Sequence, residues 1–154
     1  MGRLVMKVNI SKYPKDTSKQ RKVNIKIEKH DLWDFWGSTG LIILEWLKEF
    51  RNCDRQGVPA DVLMNIKMAG DDDFQSSFEF YKETSPQFSQ AEDKWNEIID
   101  KMIWSFEQMT NQTNADYWDE TDLDTFNRFK YDQYQNRIEE GLDLFRKYME
   151  YLWY

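Results

Sequence analysis

Two periods run along this chain, and one gives way to the other near His30. Met6, Val8 and Ile10 alternate with Lys7 and Asn9, and Val23, Ile25 and Ile27 alternate with Lys22, Asn24, Lys26 and Glu28. Apolar, mostly β-branched residues at every second position mark a half-buried strand. The spacing predicts strands over Leu4–Ile10 and Lys22–Glu28, joined through the polar stretch Ser11–Arg21 with its Pro14, Asp16 and Ser18. An antiparallel hairpin results, apolar on one face and lysine-bearing on the other. Alone it would be marginal in water, so helices are expected beneath it.

Beyond His30 the period becomes that of a helix. Leu41–Asn52 carries Ile43, Trp46, Leu47 and Phe50 at helical spacing, and Gly57 and Pro59 break it. Pro59 suits the start of a short helix over Ala60–Met68. Gly70-Asp71-Asp72-Asp73 reads as solvated loop. Ser89 and Glu92 have the spacing of a capping box. Behind them Trp95, Ile98, Ile99, Met102, Ile103, Phe106 and Met109 form one apolar stripe, which predicts a helix near 90–109. Polar Thr110–Ala115 ends it. A last helix is expected near 123–151, with Tyr131, Tyr134, Ile138, Leu142, Phe145, Met149 and Leu152 on one face. No internal repeat interrupts this order. The expected fold is α+β: an N-terminal antiparallel β-hairpin packed on three main α-helices, in a single domain spanning 1–154.

Charge divides the chain at the same place. Residues 1–30 hold nine Lys/Arg against Asp16 and Glu28, a net of +7; residues 31–154 hold twelve Lys/Arg against twenty-six Asp/Glu, a net of −14. A basic hairpin thus precedes an acidic helical body, and charge-steered contact with a ligand or another copy follows. A homo-oligomer is therefore expected. The overall acidity opposes general nucleic-acid binding. At 154 residues the chain can bury about 70% of its unfolded surface, and ten Phe, eight Tyr and seven Trp supply a heavy core. The longest apolar run, Leu41–Leu44, cannot cross a bilayer, so no membrane association is expected. Met1–Val8 lacks the apolar stretch of a secretory signal, which points to a protein that stays inside a cell. Cys53 is the single cysteine, so it has no intrachain disulfide partner.

The most suggestive candidate site is Asp31-Leu-Trp-Asp-Phe-Trp-Gly-Ser-Thr-Gly40. Ser38 or Thr39 would cap the first long helix, and Gly37 and Gly40 would allow close approach to its free N–H groups. Such a helix start suits a phosphate or carboxylate. Trp33 and Trp36 offer faces on which a base would stack, and Lys7, Lys22 and Lys26 would add charge. The competing reading is an ordinary cap beside two core tryptophans. Trp104 lies off the main stripe of its helix, either in a second layer of the core or at an interface. Tyr151, Trp153 and Tyr154 raise the same choice at the C-terminal end. Asp116, Asp119, Glu120, Asp122 and Asp124 lack the glycine and distal glutamate of a calcium loop and read as solvated, as do Asp71–Asp73. No metal or cofactor is expected. Nothing places His30 beside Cys53 as base and nucleophile, and no phosphate loop or nucleophile elbow is present. The sequence names no catalytic residue.

Several blocks resemble a family of small accessory proteins of tailed bacteriophages. They are Met6-Lys-Val-Asn-Ile-Ser-Lys-Tyr-Pro14, Arg21-Lys-Val-Asn-Ile-Lys-Ile27, Asp31-Leu-Trp33, Leu41-Ile-Ile-Leu44, Lys101-Met-Ile-Trp-Ser-Phe-Glu107, Arg137-Ile-Glu-Glu-Gly-Leu-Asp-Leu-Phe-Arg-Lys-Tyr148 and Leu152-Trp153. The family pattern has an aspartate, a histidine and a threonine before the first long helix. Trp36, Gly37 and Ser38 stand there in this chain, with only Asp31 and Asp34 nearby, which argues against metal chemistry. The resemblance implies a binding protein in the cytoplasm of an infected bacterium. Counteraction of host antiviral defence is then expected, by sequestering a small anionic, nucleotide-derived signal at Lys7, Lys26, Trp33, Trp36, Ser38, Thr39 and Gly40. The alternatives are docking on a host defence protein through an acidic or aromatic helical surface, as an inhibitor or nucleic-acid mimic, a minor virion component, and an enzyme acting on a nucleotide through Asp31 and Asp34.

Overall fold

The computed structural model describes residues 6–16, 18–29, 31–55, 57–68, 86–110 and 127–153. Strands β1 (Lys7–Ile10) and β2 (Val23–Lys26) form a two-stranded antiparallel sheet. Four helices follow: α1 (Phe35–Asn52), α2 (Ala60–Met68), α3 (Pro86–Thr110) and α4 (Arg128–Tyr148). A single 3₁₀ turn, Met149–Tyr151, closes the described chain. The protein is thus mostly helical with a small N-terminal sheet.

α3 is the hub of the helical part, packing against α1, α2 and α4. Its apolar stripe does this because residues 95, 98, 99, 102 and 106 recur at helical spacing and broaden into a wide buried face. Trp95, Ile98, Ile99, Met102 and Phe106 meet Leu44, Leu47 and Phe50 of α1, Val62 of α2, and Tyr148 and Leu152 at the C-terminal end. Trp95 stands edge-on to both Phe50 (centroids 6.5 Å apart) and Tyr148 (5.1 Å), the geometry that aromatic quadrupoles favour. Leu63, Phe88 and Ala91 form a smaller cluster where α2 crosses the start of α3.

Small residues set how closely the helices approach. A Cβ at Gly141 of α4 would collide with Ser105 Oγ and lie 2.6 Å from the Lys101 carbonyl oxygen of α3. Ser105 is fully buried and donates its hydroxyl to that carbonyl at 3.0 Å. Gly40 of α1 sits likewise under Thr110, whose methyl would be 2.8 Å from an added Cβ. Exposed ion pairs Lys48–Glu107, Arg51–Asp100 and Lys101–Glu140 bridge these same helices and add little each.

Three expectations change. The hairpin is not packed on the helices: β1 and β2 contact each other and no described helix, and all their side chains are exposed. The described helices bury their stripes on one another, with α3 at the centre. α3 begins at Pro86, so Ser89 and Glu92 lie within the helix rather than opening it. α4 is capped by the Asn127 side chain, which accepts the Lys130 N–H at 3.0 Å; the expected start at Leu123 lies outside the described residues. The crossing of α4 over α3 leaves no room for a Cβ at Gly141. Gly141→Ala should lower stability by about 1–3 kcal/mol in urea unfolding, because overpacking forces the two helices apart.

Candidate functional site

The chain between β2 and α1 is a closed turn. The Asp31 carboxylate accepts the Glu28 N–H at 2.8 Å, and the Glu28 carbonyl accepts the Asp31 N–H at 3.1 Å. Three residues on, Asp34 caps α1 by accepting the Gly37 N–H at 2.9 Å. A Cβ at Gly37 would meet the Asp34 carboxyl carbon at 2.6 Å, so a larger residue there would push the capping side chain aside.

This cap corrects the expected helix start. Ser38, Thr39 and Gly40 do not open α1; they lie within it, and the Ser38 N–H is bonded to the Asp34 carbonyl at 3.0 Å. Gly40 is buried beneath Thr110, not open to a ligand. The donors that would have held a phosphate are therefore committed to the helix. Asp34 carried the signal that a sequence reading could have used: an aspartate three residues before a glycine with helical spacing behind it.

The tryptophans are not core. Trp33 is 85% exposed and Trp36 57%, and Leu32 and Phe35 are exposed beside them. Phe35 and Trp36 meet edge to face at 6.2 Å. Lys7 and Lys26 are cross-strand partners on the polar face of the hairpin. Lys26 Nζ lies 3.0 Å from Glu28 Oε1, an ion pair by distance that is out of alignment for a hydrogen bond. What the structure brings together at this end is an aromatic turn and an exposed ribbon.

Trp104 resolves differently. It is half-buried against α4, with Tyr134 edge-on at 5.8 Å and the Arg137 guanidinium 3.7 Å above its ring. It belongs to a second layer of packing between α3 and α4. Tyr151 and Trp153 stay exposed while Leu152 between them is buried; Tyr154 lies outside the described residues. The acidic stretches 71–73 and 116–124, and His30, also lie outside them. Among the described residues no group of three or more His, Cys, Asp or Glu is arranged to hold a metal ion.

Among the described residues one titratable cluster had not been singled out by the sequence. Lys147 Nζ lies 2.6 Å from Asp61 Oδ2 and 2.7 Å from the Tyr148 hydroxyl, which itself donates to Asp61 at 2.9 Å. Burial alone would raise the Asp61 carboxyl, but hydrogen bonds from Lys147 and Tyr148 outweigh it and hold Asp61 below the usual range. The bond to Asp61, then that to Tyr148, keeps Lys147 protonated well above the ordinary lysine value. A lysine so held is neither base nor nucleophile. The cluster clamps α2 to α4.

Among the described residues, two of the cavities lie away from the aromatic turn. One of about 210 Å³ is lined by Cys53, Arg55, Val58, Glu92 and Trp95. Arg55 is already spent there: it donates to the Phe50 and Arg51 carbonyls at 2.7 and 2.9 Å, closing the C-terminus of α1, and to Asn96. The other, about 390 Å³, opens between α2 and α3 beside Val62, Ile66, Ile98 and Tyr148. No described helix is long and apolar enough to cross a membrane. Comparison with protein-family models, curated proteins and solved structures gives no match.

The clamp has a definite pH signature. Asp61 has a depressed pKa, so its contribution is present above the unfolded carboxyl value of about 3.9 and fades as pH falls through the lower folded value. Asp61→Asn should cost about 1 kcal/mol at pH 7, a modest figure because solvent screens both charged groups. Chemical unfolding across pH should show that difference shrinking below about pH 4.

Proposed function

We propose that this chain is a phage accessory binding protein, working in the cytoplasm of the infected bacterium, that docks on a host defence protein. The observation that carries this reading is the aromatic turn: Leu32, Trp33, Phe35 and Trp36 are all exposed within five residues. Large apolar clusters left in water are costly and mark interaction surfaces. Tryptophans of this kind anchor protein interfaces, where they fill a partner's pocket and exclude water. The net −14 of residues 31–154 would steer a basic partner surface toward the turn.

Sequestration of a nucleotide-like anion draws on the same rings, since a base stacks on exposed indoles. It lacks the second half of its recognition, because the N–H groups around Ser38–Gly40 lie inside α1. Protein docking needs only the apolar rings and the charged rim. For that reason it is the better-supported reading.

The double substitution Trp33→Ala, Trp36→Ala tests it. Both rings are exposed, so stability should change by no more than about 1 kcal/mol. Affinity capture from bacterial lysate should retain a host protein on the wild type and lose it on the double variant. Mass spectrometry of the denatured wild type provides the other arm. A released nucleotide without any captured protein would replace docking with sequestration.

A further inference from the structure

Both strands of the hairpin carry the same four residues, Lys7-Val-Asn-Ile10 and Lys22-Val-Asn-Ile25. The register sets Asn9 opposite Asn24 and Lys7 opposite Lys26. Two residues past Asn9, the Ser11 N–H donates to the Lys22 carbonyl at 2.9 Å. Side chains two apart share a face, so Lys7, Asn9, Ser11, Lys22, Asn24 and Lys26 form one polar surface. A two-fold axis along the sheet normal, through the Asn9–Asn24 pair, carries each Lys-Val-Asn-Ile onto the other. Lys7 then takes the place of Lys22, and Asn9 that of Asn24.

Asparagine is a poor strand former, yet it stands at the centre of this pairing in both strands. The Asn9 and Asn24 side chains are exposed, and their amides make no hydrogen bond among the described residues. Lys7 and Lys22 have no ion-pair partner among them either, while Lys26 pairs with Glu28 at 3.0 Å. Neither Lys7–Ser11 nor Lys22–Lys26 contains an acid. Arg21 adds a fixed cation at the loop end: its Nε donates to the Ser11 carbonyl at 2.8 Å, and its guanidinium lies 4.3 Å from the centre of the Tyr13 ring. A local preference broken with no compensating contact inside the protein marks a functional surface.

From these facts we infer that the polar face of the ribbon is a contact for B-form DNA, laid in the major groove. The dimensions fit, since paired strands stand about 5 Å apart and a groove about 12 Å wide admits a two-stranded ribbon. The side chains fit as well. An asparagine amide pairs with adenine N6 and N7 at once, and lysine donates to guanine edges or phosphates. Duplex DNA has two-fold axes of its own that point into the groove, so the two asparagines meet equivalent base edges on opposite strands. The preferred duplex therefore has A·T pairs at its centre. Charge acts beside this geometry: the ribbon cations face phosphates, and the acidic body, at net −14, is repelled and confines the contact to the hairpin. An RNA duplex is excluded, because side chains cannot read its deep, narrow major groove. The inference concerns the polar face alone, whatever lies against the apolar one. It does not rest on the docking reading, whose rings at 32–36 take no part.

Fluorescence anisotropy on the full chain tests it, with short labelled DNA duplexes centred on A·T or on G·C pairs and an RNA duplex matching the first. The wild type should bind the A·T-centred DNA most tightly. Its log affinity should fall against log salt with a slope of about −2 to −4, as three or four cations are engaged. Asn9→Thr with Asn24→Thr preserves the ribbon, because threonine is the better strand former. That variant should lose about tenfold or more on the A·T-centred duplex and bind both DNA duplexes alike. Lys7→Gln with Lys22→Gln should weaken both equally and reduce the steepness of the slope by about two. All four positions are exposed, so helical circular dichroism should be unchanged. A wild type that binds no duplex at low salt overturns the inference. So does binding that the asparagine variant leaves intact, or an RNA duplex held as tightly as the DNA.

Discussion

The burial of one helix by three others governs this protein. α3 presents a stripe from Trp95 to Phe106 that is too wide for a single partner, and α1, α2 and α4 share it. Trp95 is where the shares meet, edge-on to Phe50 from one side and to Tyr148 from another. Removing a buried ring of that size would cost about 3–5 kcal/mol, a large part of the stability of a domain this small. Every other helix is placed by its contact with α3, so the exposed surfaces of the molecule are those that this contact leaves over.

Close packing holds the described helices together, and none of them covers the sheet. Gly141 against Ser105 and Gly40 against Thr110 let helix backbones approach until little room remains between them. The Asp61–Lys147–Tyr148 clamp and the Arg55 cap then close the bundle at its periphery. The hairpin, with four β-branched side chains on one face, lies outside that core. The ribbon, the aromatic turn and the outer side of α1 stay exposed around that bundle.

The candidate site was legible in its residues and not in its geometry. Trp33 and Trp36 stood out as large rings in a polar, glycine-bearing segment, and the structure leaves both exposed. The helix start was misplaced because Ser38 and Thr39 compete with Asp34 as caps on composition alone. Only the hydrogen bond from Gly37 to Asp34 identifies the true one. That shift of one turn moves Ser38–Gly40 from open donors to the helix interior and changes which ligand chemistry the site supports. The Asp61–Lys147–Tyr148 cluster had no sequence signal at all, since its members lie 86 and 87 positions apart.

Local periodicity by itself determined the strands, the order of the helices and the buried stripe of α3, because side-chain direction along a helix or strand follows from backbone geometry over a few residues. The division into a basic leader and an acidic body was likewise written in the chain. Tertiary structure alone decided which apolar faces found partners. The alternation in β1 and β2 is the same whether a helix lies beneath them or not. Burial is a competition among all the surfaces of the molecule for a limited core. Here α1, α2 and α4 took α3, and the hairpin was left outside.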